Sequence, residues 1–257
     1  MIILAEIRKR LLIMWSYRLN TFFELVVFGA IFAALGFFVG QGRYEPDRLA
    51  AMLVGYTLWF YALIALTDMS LALSEESQTG TLEQLYMSPA PMEWLACGRV
   101  AAIFVRTTLL VCLLVPALSL ALDIHLALRW SALPIFALTL VGLSGFGFAL
   151  SGLTLLYKQT GAVAQLLQNL LLLGNGTILP IDRFPPLLAD IARQLPTSRG
   201  IILLRRLLLE DESLAALWRD HSLIWLALQS MLFLLVGWTL FKWCEKRALQ
   251  RGILGMY

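Results

Sequence analysis

Charged side chains are scarce in this chain: they make up 14% of 257 residues, against about a quarter in an ordinary soluble domain. Histidine is nearly absent, with only His125 and His221, and neither has a partner at ligand spacing, so no metal site is expected. The three cysteines, Cys97, Cys112 and Cys244, are far apart and lie in or beside apolar blocks. They form no metal or redox spacing and read as small apolar filler. No G-x-x-x-x-G-K-[ST] run occurs, so the chain lacks the usual cradle for nucleotide phosphates. Ser/His/Asp and H-E-x-x-H constellations are missing too, and no catalytic residue is expected. The net charge is only +3 and no basic stripe carries interleaved aromatics, which sets nucleic acid aside as a partner. A cleavable leader is not expected either. Arg8, Lys9 and Arg10 precede a short apolar run that Arg18 interrupts, and no small-residue cleavage site follows.

What is present is apolar surface, in blocks of the roughly 20 residues that a helix needs to cross about 30 Å of hydrocarbon. Six spans are expected, at 21–40, 49–73, 94–122, 130–157, 161–179 and 222–241. The fold class is therefore an all-α membrane protein, a single transmembrane domain over 1–257. An even number of spans puts both termini on one side. All four lysines, Lys9, Lys158, Lys242 and Lys246, fall on that side, as do Arg8, Arg10, Arg18, Arg247 and Arg251. The positive-inside tendency then makes it the cytoplasm, and the membrane is expected to be a bacterial-type plasma (inner) membrane. The connection between spans five and six runs against this with six arginines, Arg183 to Arg219.

The first 20 residues read as an amphipathic helix in the membrane interface. Ile3, Leu4, Ile7, Leu11, Met14 and Trp15 share one side, and Glu6, Lys9, Arg10 and Ser16 the other. Inside the spans, Asp68 and Arg106 are costly unless paired or wet. Their helices are neighbours, so an ion pair and a role along a substrate path both stay open, while Glu24 reads as interfacial. Gly36 with Gly40, Gly145 with Ala149 and Gly147 with Ser151 have the small-x-x-x-small spacing of close helix packing, within the chain or between subunits. Tyr56, Trp59, Phe60 and Tyr61 read as an aromatic belt at the outer interface.

Two segments outside the spans carry information. Between spans two and three, the chain reads Glu75-Glu76, then Gly80-Thr81-Leu82-Glu83-Gln84-Leu85, then Ser88-Pro89. Thr81 and Gln84 have capping-box spacing, Gly80 allows a sharp entry, and Pro89 ends a helix of about two turns. After span five, Pro180, Pro185 and Pro186 precede Leu187, Leu188, Ile191 and Leu195 at helical spacing. Pro196 then breaks the run before a second short helix that carries Ile201, Ile202, Leu204 and Leu208. Neither is long enough to span, and the pair reads as an outer re-entrant hairpin over 180–210 or as an outer cap.

The acidic pair followed by Gly-Thr-Leu-Glu-x-Leu and Ser-Pro resembles the signature of ABC type-2 exporter membrane domains. The resemblance implies that 75–91 is a cytoplasmic coupling segment. Its Glu75, Glu76, Gly80, Thr81, Leu82, Glu83, Leu85, Ser88 and Pro89 would seat in a groove of an ATPase subunit, and Tyr157 to Thr160 would be the other contact. It also implies a proline-punctuated outer hairpin, matched by Pro196 with Arg205 or Arg206. This sequence departs from the family in a less apolar, less aromatic loop around Pro180 to Pro186. On this resemblance the chain is the permease of an ATP-driven exporter for an amphipathic, lipid-like or lipid-linked substrate. Its partners would be two copies of a cytoplasmic ATPase, which binds the ATP and Mg, a second permease copy or homologue, and membrane lipids; this chain binds no cofactor. Two other classes share the spans. A secondary transporter wants inverted repeats and broken helices bearing acidic groups, and no internal repeat is visible. A membrane anchor or assembly factor explains the scarcity of polar residues, but not the structured acidic segment.

Overall fold

The computed structural model describes residues 2–87, 92–127 and 129–251, and every regular element among them is a helix. The elements are α1 (Ile2–Ser16), α2 (Arg18–Val39), α3 (Pro46–Gln78), α4 (Thr81–Met87), α5 (Met92–Ala121), α6 (Ala132–Tyr157), α7 (Gly161–Gly174), α8 (Pro186–Arg193), α9 (Pro196–Leu209), α10 (Leu214–Arg219) and α11 (Ser222–Arg251). A single 3-10 turn, Ile181–Arg183, precedes α8. Five of the helices, α2, α3, α5, α6 and α11, are long and apolar enough to cross a membrane. Their termini fall within a few residues of the expected spans, except that α3 and α11 continue past the expected ends, to Gln78 and Arg251.

The span expected at 161–179 is different. Its helix stops at Gly174, and 14 residues cover only about 21 Å. Gly176 has φ +84, a conformation that suits glycine and breaks the helix there. The chain nevertheless passes from one end of the bundle to the other between Gly161 and Ser222. Lys158, at the start of this passage, accepts a hydrogen bond from Ser74 through its carbonyl, while Ser222, at its end, sits beside Arg206 and Asp220. Both described chain ends lie at the Lys158 end, because α1 packs on Gly98 of α5 and Glu245 near the end of α11 meets Tyr86.

α3 is the central helix, enclosed by α2, α5, α6, α7 and α9. Its Tyr56, Trp59, Phe60 and Tyr61 are therefore core residues, at most 4% exposed, and not an interfacial belt. Each polar tip finds a partner inside the protein, as buried aromatics require. Tyr56 donates to the carbonyl of Phe28 (2.8 Å), Trp59 to that of Gln168 (3.0 Å) and Tyr61 to Thr108 Oγ1 (2.7 Å).

The broadest helix–helix contact joins α6 and α11. A Cβ on Gly145 would overlap the carbonyl of Phe233, and one on Gly237 would overlap that of Gly145, so the backbones touch. Gly36 and Gly147 likewise face Leu49 and Met69 of α3. These glycines pack helices within one chain. The α8–α9 hairpin folds back into this region. Pro196 abuts Gly142, ten residues or roughly 15 Å along α6 from its start. Gln229 of α11 donates to the carbonyl of Arg193 at the end of α8 (3.3 Å).

Candidate functional site

The end of the bundle that holds both described chain ends carries ion pairs and hydrogen bonds that tie α1, α3, α4, α5 and α11 together. α3 continues as one helix from its apolar core to Gln78, so Glu75 and Glu76 stand on its last turns and not on a loose connector. Thr79 Oγ1 donates back to the carbonyl of Glu75 (2.8 Å), and Gly80 then turns the chain with φ +69, where a side chain would be strained. α4 begins at Thr81, whose hydroxyl lies 2.9 Å from that of Thr79, so the expected capping pair with Gln84 gives way to a local hydroxyl contact. Ser88 and Pro89 lie outside the described residues, as do the side chains of Leu82, Glu83 and Leu85.

α4 is tied to two long helices. Tyr86 donates its hydroxyl to Glu245 of α11 (3.2 Å), and burial together with the Glu245 carboxylate pushes the phenol up, so it stays a donor. Lys242 bonds the other Glu245 oxygen (3.0 Å) and Glu93 at the start of α5. The turn between α6 and α7 closes the same end. Ser70 and Thr160 share a hydrogen bond (2.8 Å), and Ser74 donates to the carbonyl of Lys158 (3.0 Å). The segment 157–160 thus sits against the last turns of α3.

A layer of charge lies deeper. Arg106 of α5 is held between Glu24 of α2 (2.6 Å) and Asp68 of α3 (3.7 Å), and Arg10 of α1 pairs with Asp68 as well. Nearer the end, Glu76 pairs with Arg99. All these side chains except Arg10 are 20% exposed or less, so the pairing meets the demand that charge in an apolar setting be neutralised. A cavity of about 60 Å³ has Glu6, Lys9, Arg10, Asp68, Glu76 and Arg99 among its walls, beside apolar residues such as Met69 and Ile103. One network therefore stitches α1, α2, α3 and α5 together.

The expected pair Asp68–Arg106 is present, yet three of its neighbours were not foreseen. Glu24 belongs to the network and not to the interface. Arg10 and Glu6 turn inward with α1, which meets Gly98 of α5 through Ile3 and Glu6, while Leu4 and Trp15 stay exposed. One signal was there to be used: Arg99 and Arg106 are seven apart and share a face of α5.

At the opposite end, Arg205 is the arginine of the hairpin that the fold uses as a clamp. Its Nε donates to the carbonyl of Ala51 on α3 (2.8 Å), and a terminal nitrogen donates to that of Thr177 (3.1 Å). It thereby fastens α9 to α3 and to the chain just after α7. Arg206 faces outward to Glu212 and Asp220, both at 2.8 Å. Pro180 and Pro185 cap the 3-10 turn and α8, Pro186 opens α8, and Pro196 opens α9.

A family model described as ABC-2 type transporter matches residues 2–209. The match takes in α1 to α9, and with them the charge network and the 75–89 segment. A comparison with curated proteins finds no match.

Proposed function

The chain belongs to the ABC-2 type transporter family, whose members normally work with an ATPase subunit, and from that premise we propose that it is the permease of an ATP-driven exporter. It is an integral membrane protein and the transmembrane part of the transporter. The observation that carries the proposal is mechanical. α3 runs unbroken from the middle of the bundle to the Glu75-Glu76 pair, turns at Gly80 and ends in α4, which Tyr86 and the Glu93–Lys242–Glu245 cluster fasten to α11 and α5. A push on α4 therefore reaches three long helices at once.

On this reading α4, with Glu75, Glu76, Leu82, Glu83, Leu85, Ser88 and Pro89, seats in the groove of a cytoplasmic ATPase, and 157–160 is the second contact. Two ATPases, carrying the ATP and Mg, act on two permeases with their termini in the cytoplasm. The second permease, a copy or a homologue, covers the exposed apolar faces of α7 (Leu166, Leu170, Leu173) and α2 (Phe22, Phe23, Val26). The substrate class is amphipathic, lipid-like or lipid-linked, in keeping with a chain that is 60% hydrophobic and 14% charged.

The test is Leu85→Asp, with the purified variant compared with the natural chain for stimulation of the ATPase. Loss of stimulation with an unchanged helical spectrum and unfolding midpoint is expected. Full stimulation in the variant would remove α4 from the coupling role.

A further inference from the structure

α5 and α6 follow each other in sequence, yet they hardly touch. Between them opens a groove of about 530 Å³, backed by α3 and α9 and reaching Leu126, Arg129 and Trp130. Its walls are apolar side chains, among them Val111, Val115, Leu133, Phe136, Leu204 and Leu208. Three hydroxyls also line it, and each donates within the chain. Thr57 bonds the Leu53 carbonyl (2.8 Å), Thr108 bonds that of Phe104 (2.7 Å) and Tyr61 bonds Thr108 (2.7 Å). A water needs two to four polar partners to be stable in such a place, and these walls offer few.

The depth matches one leaflet. Tyr61 stands fifteen residues from the start of α3 and Thr108 thirteen before the end of α5, roughly 20 Å in either case. Half the hydrocarbon thickness is about 15 Å. The helix surfaces beside the opening are apolar and exposed, as at Leu109 and Leu113 of α5. At the rim the chemistry changes. Trp130 is 88% exposed, as suits an indole at a membrane–water boundary, and Arg129 stands beside it. Arg129 pairs with Asp211 through one terminal nitrogen, and a guanidinium has five N–H donors, so capacity for an anion remains.

We infer that this groove binds one acyl chain of a phospholipid from the leaflet opposite the chain termini, with the lipid phosphate held at Arg129. A gap of this size facing hydrocarbon forfeits dispersion contacts along its whole wall, and a hydrocarbon chain restores them. Moving a chain from bilayer to groove yields no hydrophobic gain, since both are apolar. Residence beyond that of an ordinary neighbouring lipid comes from wall contact and from the phosphate–guanidinium bonds. The inference rests on the chain lying in a membrane and not on the ATP-driven reading.

The test uses the full chain in mild detergent, stripped of lipid and titrated with phosphatidylglycerol, the bound species being weighed by native mass spectrometry. One lipid per chain is expected to bind ahead of all others. Cys112→Phe, which places a ring in the groove from an exposed position on α5, is expected to weaken that first event about tenfold. Arg129→Gln weakens it less, and Leu113→Phe, the neighbouring α5 position outside the groove, leaves it unchanged. Should Cys112→Phe fail to fold, Leu133→Trp obstructs the same space from α6. Equal first-lipid binding in the groove-filling and Leu113→Phe variants, or no defined first event in the natural chain, would overturn the inference. No ATPase enters the measurement, so its outcome is separate from that of the coupling test.

Discussion

Arg106 shows how a charge is kept in an apolar setting. It is flanked by Glu24 at 2.6 Å and Asp68 at 3.7 Å, and Arg10 balances the aspartate. Removing Arg106 leaves Glu24 without its partner, while Asp68 keeps Arg10. Arg106→Gln should cost about 2 kcal/mol, below the 3–5 kcal/mol of a fully buried pair because these groups are partly open. The double variant Glu24→Gln/Arg106→Gln should cost less than the sum of its singles, by about 1 kcal/mol, in unfolding measurements. Additive losses would mean that the pair is not coupled. Arg205 offers a second test, because its fork spans two carbonyls on different segments. Arg205→Lys keeps the charge but not the fork, and about 1.5–3 kcal/mol of charged hydrogen bonding is at stake. A lysine variant as stable as the natural chain would show that charge alone suffices. At the surface, the Ser222 backbone N–H and the Arg206 guanidinium hold the Asp220 carboxyl down at about 2. Its folded-state value is lowered, so its stabilising effect is present above the unfolded value near 4 and fades as pH falls toward 2. Asp220→Asn should therefore narrow the stability difference between pH 5 and pH 3.

At the scale of elements, the spans are legible because blocks of some 20 apolar residues admit little else. The partners across elements are not, since Arg10–Asp68, Glu24–Arg106 and Tyr86–Glu245 join positions 58, 82 and 159 residues apart. No local pattern encodes such contacts. Tyr56 to Tyr61 illustrate the limit: aromatic residues in an apolar block suit a belt and a core equally, and only the central place of α3 decides for the core. α7 is similar, for Gly174 and Gly176 end its helix before the apolar run is over. The turn at Gly80 and the short helix after it were legible in the sequence, and the structure adds that Glu75 and Glu76 are helical. The α6–α11 contact can be tested directly. Gly237→Ala puts a methyl group against the backbone of Gly145 and should cost roughly 1–3 kcal/mol. Gly161→Ala, with nothing within 4 Å, should cost nothing. Equal effects of the two in thermal unfolding would contradict the close crossing.

For the molecule as a whole, the distribution of chemistry has a direction. One end gathers α4, the 157–160 turn, both described chain ends and the charged layer, while the other holds the hairpin, the Arg205 clamp and the α5–α6 groove. Such an arrangement suits a protein that receives force at one face and opens at another. Tyr86→Phe removes one tie between α4 and α11 and should leave an ATPase bound but less stimulated, in contrast to Leu85→Asp, which should weaken the seating itself. The most direct measurement is affinity purification of the full-length chain from its native membrane, with ATP hydrolysis assayed on the eluate for the natural chain and for Leu85→Asp. Expected is an ABC-type ATPase present in equal amount with the natural chain, hydrolysing ATP, and absent from the variant. A folded natural chain that carries no ATPase and moves its substrate on an ion gradient alone would contradict the assignment.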